Sequence, residues 1–423
     1  MWYIRKRTLM QTLTLYLFVM PFFLNLLQEW LHLPGLIKYT VDVAWVAVIL
    51  RMLSVRTQVI YKKTLPILVL LILYVLYVSV AYLCQYQSAF YFLWGVRNNL
   101  RYYAAFFAFV YMIDRDDLKL CLKLVDVLFA VHVVLSLFQF FVLGYKWDYL
   151  GGIFGNQVGC NANSLILLVV SCTKSLLMYM HGKEGLLTSV LVCGASLVVA
   201  AMAELKFFFV LCMIILVVAA MITKFSWKKI LLIAGVTFCI SLAGSIFTII
   251  WGEDAALNVD RIVELITSKG YSSEKDLGRF TAIPILSRTI LIQIPQKLFG
   301  LGLGNCDTSS FAICNTPFYQ AHSYLNYNWF SSAFTFIETG YVGLLFTISF
   351  YVIVGVCALR MKRMGVENEL YADFAIVMSV ACVALFFYNS SLRTDIAYVV
   401  YFVLALPFMS GFSESVSQRQ GHL

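Results

Sequence analysis

The chain has 423 residues, of which 61% are hydrophobic and 13% are charged, and its formal net charge at pH 7 is +9. Soluble domains contain about 25% charged residues, so this composition excludes an ordinary soluble protein. Long uninterrupted apolar segments such as TLPILVLLILYVLYVSVAYL exclude a β-barrel, whose strands alternate in polarity. The sequence therefore predicts an all-α polytopic membrane protein.

Apolar segments of the ~20 residues that cross a bilayer recur along the chain. We predict about twelve membrane-spanning helices, at 9–27, 38–54, 64–83, 97–113, 121–143, 162–181, 186–203, 205–223, 230–251, 332–359, 370–388 and 395–411.

Most of the 31 Lys and Arg residues fall in loops on one side of this arrangement. Because basic loops stay in the cytoplasm, both termini are predicted to be cytoplasmic, and the net charge needs no nucleic acid partner. The chain then divides into membrane helices 1–9 (1–251), one large extracytoplasmic loop with short helices (252–331), and membrane helices 10–12 with a cytoplasmic tail (332–423).

The predicted outer side carries few ionisable residues at membrane depth, and such residues are candidates for function. Arg97 and Arg101, in WGVRNNLRYY, share one helical face. They could bind an anion such as a phosphate, or they could extend to lipid headgroups.

Two further polar segments lie at predicted outer turns. In MAELKFFFV, Lys206 either pairs with Glu204 or points into an outward cavity. In GGIFGNQVGCNANSL, the glycines permit irregular backbone. There, Asn161 or Asn163 could cap the following helix or contact a carbohydrate.

The large loop carries two arginines in the segment DLGRFTAIPILSRTILIQIPQKLF. Arg279 and Arg288 are out of phase on a straight helix and converge only if Pro284 kinks it. We therefore expect one of them, Arg279, to take part in the chemistry. The next segment, LFGLGLGN, lacks the spacing of a nucleotide-binding loop, so its glycines predict a tight turn.

The segment QAHSYLNYNWFSSAFTFIETGYVGLL leads into the tenth predicted span. If it is helical, His322 and Asn326 share a face, and Tyr324 and other aromatic residues beside them suit a sugar. His322 is either structural or catalytic. Glu338 lies inside the span and is a candidate substrate-binding residue, and nearby glycines there permit close helix packing.

In chain order, these segments resemble a known family. The matching pieces are GIFGNQVGCNANS, AELKFFF, LGRFTAIP, LFGLGLGN, HSYLNYNWFSSA and ETGYVGLL. They resemble the oligosaccharide repeat-unit polymerases (Wzy) of the O-antigen polymerase and ligase superfamily, over about 150–410. The resemblance implies a C-type glycosyltransferase-like fold in the bacterial cytoplasmic (inner) membrane, with the active site on the extracytoplasmic side.

The resemblance also implies a reaction between two undecaprenyl-diphosphate-linked glycans. A sugar hydroxyl of one attacks the anomeric carbon of the other, and undecaprenyl diphosphate leaves. No cofactor and no metal is expected. Besides the glycans and the lipid bilayer, a chain-length regulator and a flippase are partners that the resemblance suggests.

By the resemblance, Arg279 corresponds to the loop arginine that holds the diphosphate, and Lys206 to a basic residue at a short turn. His322 corresponds to the histidine that orients or deprotonates the acceptor hydroxyl, a role that Tyr324 or Asn326 could share. Arg97, Arg101 and Arg288 would support the diphosphate. An O-antigen ligase, a lipid-linked oligosaccharide flippase or transporter, and a structural membrane protein are the alternatives.

Overall fold

The computed structural model describes residues 7–29, 31–54, 62–85, 87–252, 276–308, 314–365 and 369–409. Within these ranges every regular element is an α-helix or a 3-10 helix, and the predicted all-helical class is confirmed. The helices are α1 Leu9–Glu29, α2 Thr40–Ser54, α3 Leu65–Cys84, α4 Ala89–Met112, α5 Arg115–Phe141, α6 Cys160–Met180, α7 Leu186–Met202, α8 Lys206–Ile222, α9 Trp227–Trp251, α10 Ala282–Thr289, α11 Ile294–Phe299, α12 Pro317–His322, α13 Ser331–Arg363, α14 Glu369–Tyr388 and α15 Ala397–Ala405.

Seven of the described helices are long and apolar enough to cross a membrane, by length and composition: α1, α3, α5, α6, α9, α13 and α14. The apolar helices α7, α8 and α15 are shorter. The structure therefore agrees with a helical membrane protein, and the number of twelve spans stays a prediction.

The helices differ in how deeply they are buried. Most side chains of α6 and α14 are buried, whereas few side chains of α3 and α9 are. Exposed apolar residues on a membrane-spanning helix suit contact with lipid, because hydrocarbon solvates them. The polar side chains described below lie near the buried helices.

Helix α13 is interrupted near its N-terminal end. Gly340 has φ 61° and ψ −163°, a backbone conformation that is essentially restricted to glycine. A Cβ atom at Gly340 would lie 2.4 Å from the carbonyl carbon of Leu298, and one at Gly300 would lie 2.3 Å from that of Glu338. The end of α11 and the interrupted part of α13 therefore pack backbone against backbone.

The interruption frees carbonyl groups that water cannot reach at membrane depth, and such groups need partners. The carbonyl oxygens of Ile337 and Glu338 accept hydrogen bonds from the backbone N–H groups of Leu301 (2.8 Å) and Gly302 (2.9 Å). The glycine loop, residues 300–307, thus replaces the missing helical donors.

The glycine loop is held between two helices. Gly302 and Gly304 have φ values of 100° and 84°. A Cβ atom at Gly304 would lie 1.9 Å from the carbonyl oxygen of Tyr91 on α4. The hydroxyl of Tyr77 on α3 donates to the carbonyl of Thr339 on α13 at 2.6 Å. The glycines of this loop therefore allow both the positive φ angles of the turn and its close contact with α4.

One sequence prediction about helix starts was wrong. Neither Asn161 nor Asn163 caps α6, because the helix begins at Cys160 with Gly159 as its N-cap and without a side-chain cap. Gly159 has φ 84°, so the entry to this helix depends on the glycine backbone.

The interruption in α13 makes a stability prediction. Gly340→Ala is expected to lower the free energy of unfolding by at least about 1–3 kcal/mol, because alanine is strained in this conformation and its Cβ would collide with Leu298. The matched control is Gly244→Ala in α9, where a Cβ meets nothing within 4 Å; there alanine should gain up to about 1 kcal/mol. Denaturation in detergent measures both, and equal stabilities would contradict the tight packing at Gly340.

Candidate functional site

Charged and polar side chains gather at the end of the bundle where α4 and α13 begin and α14 ends. The segment 389–396, between α14 and α15, contacts the start of α13, since Ser331 donates its backbone N–H to the carbonyl of Asn389 at 3.0 Å. This segment carries Arg393 and Asp395. It thus brings two charged groups to the N-terminal ends of α13 and α4.

A buried ion pair lies at the centre of this cluster. Arg393 Nη2 lies 3.1 Å from Glu338 Oε2, and the Glu338 side chain has no exposed surface. Glu338 Oε1 accepts the backbone N–H of Gly304 at 2.7 Å. Arg393 Nη1 also donates to Asn99 Oδ1 at 3.2 Å, and its guanidinium lies 3.8 Å from the ring centre of Phe334. Buried charges need such partners, and both carboxylate oxygens of Glu338 find theirs within the protein.

The two arginines predicted to share an anion bind different carboxylates. Arg97 donates to both carboxylate oxygens of Asp42, at 3.1 and 2.5 Å. Arg101 Nη1 lies 2.9 Å from Asp395 Oδ1, and the Arg101 side chain is buried. The structure therefore neutralises both cations within the protein.

An amide connects Arg97 to a buried acid. Arg97 Nη1 donates to Asn98 Oδ1 at 2.5 Å, and Asn98 Nδ2 donates to Asp307 Oδ2 at 2.7 Å. Asp307 is only 4% exposed. Burial raises the pKa of the Asp307 carboxyl to about 7, the charge of Glu338 adds to this effect, and Arg393 and Asn98 oppose it.

A cavity of about 30 Å³ opens beside Arg393. A cavity needs roughly 10–15 Å³ for each water centre, so this one has room for about two or three waters. It is lined by Asn98, Asn99, Tyr102, Tyr103, Ser331, Thr335, Thr347, Tyr351, Phe386, Leu392, Arg393 and Tyr401.

Arg279 lies just before α10 and stacks on the last residue of α14. Its guanidinium carbon is 3.8 Å from the ring centre of Tyr388, and Nη1 donates to the Tyr388 carbonyl at 3.3 Å. The ring of Phe207 stacks on the same tyrosine at 4.1 Å. Two groups at these distances cannot share one face, so Arg279 and Phe207 lie on opposite faces of Tyr388. Phe207 follows Lys206 directly.

Lys206 pairs with its neighbour at the turn between α7 and α8. Its Nζ lies 3.3 Å from Glu204 Oε1, and both side chains are about one third exposed. Glu204 has φ 55°, an uncommon conformation for a non-glycine residue. Of the two alternatives predicted for Lys206, the structure contains the salt bridge.

His322 is the last residue of α12, and its ring centre lies 4.6 Å from that of Phe318. Its Nδ1 is buried and makes no hydrogen bond with the part of the chain that the structure describes. The segment that follows is joined to the Arg279 segment, because Leu277 donates its N–H to the carbonyl of Leu325 at 3.2 Å.

The predicted helical face of His322 and Asn326 was wrong. α12 ends at His322, and Asn326 adopts a left-handed conformation with φ 51° between two 3-10 turns. Tyr324 is exposed. The spacing of residues predicted one continuous helix here, and spacing gives no sign of a residue with a left-handed backbone conformation.

The remaining predicted residues make separate contacts. Arg288 is exposed in the last turn of α10. Pro284 lies in the first turn, where proline is tolerated. Asn161 Nδ2 donates to Asp148 Oδ1 at 2.8 Å, and Asn163 Oδ1 accepts from Thr394 Oγ1 at 3.0 Å.

Among the described residues, no three His, Cys, Asp or Glu side chains are arranged to hold a metal ion. Comparisons of the sequence with protein-family models and with curated proteins found no match.

Sequence reasoning counted Arg393 among the outer ionisable residues without giving it a specific role, and it did not single out Asn98, Asn99 or Asp307. The position of Glu338 inside a predicted span indicates that some cation pairs with it, because an acid at membrane depth requires a cationic partner. Arg393 is that partner. The contact of Asn98 with Asp307 joins residues 209 positions apart, and no local pattern indicates it.

The buried ion pair makes a second stability prediction. Glu338→Gln is expected to cost about 3–5 kcal/mol of unfolding free energy, because Arg393 would keep a buried charge without a carboxylate. Combining it with Arg393→Gln should cost less than the sum of the two single losses.

The control is the exposed pair at the α7–α8 turn, where Lys206→Ala should cost less than about 1 kcal/mol. Detergent denaturation of the four variants gives the coupling energy. Strictly additive losses at positions 338 and 393 would contradict a mutually dependent pair.

Proposed function

We propose that the chain is a polysaccharide polymerase of the bacterial cytoplasmic membrane. It would join undecaprenyl-diphosphate-linked oligosaccharide repeat units into O-antigen, capsular polysaccharide or exopolysaccharide on the extracytoplasmic side. In each cycle an acceptor hydroxyl attacks the anomeric carbon of the donor glycan, and undecaprenyl diphosphate departs.

The observation that carries this proposal is the position of Tyr388 between the Arg279 guanidinium and Phe207. This contact brings Arg279 next to the segment that begins with Lys206. Arg279 and Lys206 are the two cations expected to hold the diphosphate. Stacking on an aromatic ring restricts the guanidinium plane. An arginine restricted in this way can bind a phosphate through two parallel hydrogen bonds.

A diphosphate is an activated leaving group, so the main tasks of the enzyme are positioning and charge stabilisation. Arg279 would supply directed hydrogen bonds, and Lys206 a point charge. Arg97 and Arg101 are already paired with Asp42 and Asp395, so their support would be indirect.

The acceptor sugar would lie near the segment that follows α12. His322 orients or deprotonates the attacking hydroxyl in this proposal, and the exposed ring of Tyr324 offers a face for a sugar. The exposed guanidinium of Arg288 would meet the diphosphate or the lipid headgroups.

We also propose the topology. The seven long apolar helices and five further helices, α2, α4, α7, α8 and α15, would make twelve crossings with both termini in the cytoplasm. Residues 252–331 then form the large extracytoplasmic loop. In this topology the charged cluster faces the extracytoplasmic side, as the proposed reaction requires.

Reconstitution tests the activity. Proteoliposomes would receive lipid-linked repeat units extracted from cells that lack this chain, and gel electrophoresis would resolve the products. We expect a ladder of longer glycans for the wild type. Arg279→Ala should abolish it, because the diphosphate loses its directed partner. Arg363→Ala is the matched control, since Arg363 is exposed at the opposite end of α13.

Other outcomes contradict the polymerase. Transfer of finished glycan to a lipid A core acceptor without extension would indicate a ligase. Movement of the lipid-linked glycan across the bilayer without a new glycosidic bond would indicate a flippase. A normal ladder from Arg279→Ala, at unchanged protein abundance, would remove Arg279 from the mechanism.

The aromatic contact can be tested separately. Tyr388→Phe keeps the ring beneath Arg279 and should retain activity. Tyr388→Leu removes it and should lower kcat/KM between about two- and thirtyfold, since cation–π contacts contribute roughly 0.5–2 kcal/mol. Initial rates of ladder formation give the ratio, and equal rates for the two variants would contradict a role for the ring.

A further inference from the structure

The segment between α10 and the glycine loop exposes apolar side chains. Residues 290–299 read ILIQIPQKLF, and Lys297 is their one charged residue. Ile292 is 65% exposed and Ile294 is 72% exposed. The other large apolar side chains that this segment exposes are Leu298 and Phe299. A cluster of exposed apolar side chains marks an interaction surface, and its partner must accept hydrocarbon.

A contact with α3, which is long and apolar enough to span a membrane, gives the depth of this segment. The ring centres of Phe299 and Tyr77 are 6.0 Å apart. Tyr77 lies seven residues before Cys84, the last residue of α3, which corresponds to about 10 Å along the helix. α3 has 20 residues, just enough to cross the roughly 30 Å of hydrocarbon. Phe299 therefore lies within the hydrocarbon layer, below the end of α3.

A second contact, with α13, agrees with this depth. A Cβ atom on Gly340 would lie 2.4 Å from the carbonyl carbon of Leu298, so the two backbones touch. Gly340 lies nine residues after Ser331, the first residue of α13, or about 13 Å along the helix. The neighbouring Thr339 accepts the hydroxyl of Tyr77 through its carbonyl at 2.6 Å. The end of α11 therefore lies beside the interior of two long apolar helices that meet at one level.

The polar groups of the segment have partners of the kind that membrane depth requires, where water is absent. Gly300 donates its backbone N–H to the carbonyl of Gln296 at 2.7 Å, and its own carbonyl accepts from Gln85 Nε2 at 3.1 Å. Pro295 has no N–H group that needs an acceptor. Lys297 is half-buried, and a lysine side chain is long enough to bring its ammonium group to the level of the headgroups.

We propose that residues 290–299 form a re-entrant segment that binds the phospholipids of the bilayer. The chain would enter the membrane after α10, turn at α11 and return through the glycine loop, with its exposed apolar side chains among the acyl chains. Beside Tyr77 on α3, Leu76 and Val80 are also exposed. Because the segment continues this apolar side of α3, ordinary phospholipid is sufficient to cover both surfaces.

The inference goes beyond the polymerase reaction and does not depend on it. Part of the large loop predicted at 252–331 would then lie in the membrane. Arg288, which is exposed in the last turn of α10, would mark the point where the chain enters. An arginine at that level can bind the phosphate of a headgroup.

Photocrosslinking tests the lipid contact. The full chain would carry the photoreactive residue benzoylphenylalanine in place of Ile294. It would be reconstituted in vesicles of phosphatidylethanolamine and phosphatidylglycerol with radiolabelled acyl chains and without polyprenyl lipid. The same replacement of Leu76 on α3 is the positive control, and that of the exposed Tyr324 is the negative control. After illumination, position 294 should capture as much labelled lipid as position 76, whereas position 324 should capture little.

A second position covers the case in which the chain altered at Ile294 does not accumulate. Phe299 is already aromatic, so its replacement by benzoylphenylalanine is conservative, and it should also capture labelled lipid. Label at these positions no higher than at Tyr324 would overturn the inference. A covalent dimer, or an adduct with another part of the same chain in place of the lipid adduct, would overturn it as well.

Discussion

The hydrogen bonds between the glycine loop and the interrupted helix α13 are the constraint on which the rest of the charged cluster depends. Backbone carbonyls freed at membrane depth must find donors, and the N–H groups of Leu301 and Gly302 supply them. The same loop then directs the N–H of Gly304 to Glu338 and places Asp307 beside Asn98. A shift of the loop would therefore disturb the backbone of α13 and both acids together.

Three arginines of the cluster are paired with carboxylates. Arg393, Arg101 and Arg97 each have a carboxylate within 3.1 Å, and a buried pair of this kind is costly to separate. Lys206 pairs with Glu204 at 3.3 Å, and both of these side chains are about one third exposed. The guanidinium of Arg279 stacks on the ring of Tyr388.

The sequence was sufficient for the helical class and for most helix positions, because length and apolar character alone determine them. The predicted span 64–83 compares with Leu65–Cys84, and 186–203 with Leu186–Met202. The fourth span was predicted to start at 97, but α4 starts at Ala89. The residues that the prediction left out, 89–96, are apolar and continue the helix before Arg97. The acids that neutralise Arg97 and Arg101 come from distant segments.

The candidate site was only partly predictable for the same reason. The sequence indicated which cations and polar residues lie at one end of the bundle. It could not indicate which cation binds Glu338. Nor could it indicate that Gly340 interrupts α13, because the residues around Gly340 form a continuous apolar segment. Glycines within a span are compatible both with close helix packing and with an interruption of the helix. The interruption depends on backbone N–H donors from the glycine loop, which is distant in sequence.

The central claim is that the Arg279 end of the bundle binds the diphosphate of a lipid-linked glycan. A cryo-electron microscopy structure in nanodiscs with an undecaprenyl-diphosphate-linked repeat unit tests it most directly. We expect density for the diphosphate within hydrogen-bonding distance of the Arg279 guanidinium, with Lys206 on the same side. Diphosphate density at the opposite end of the bundle, away from Arg279, would contradict the claim.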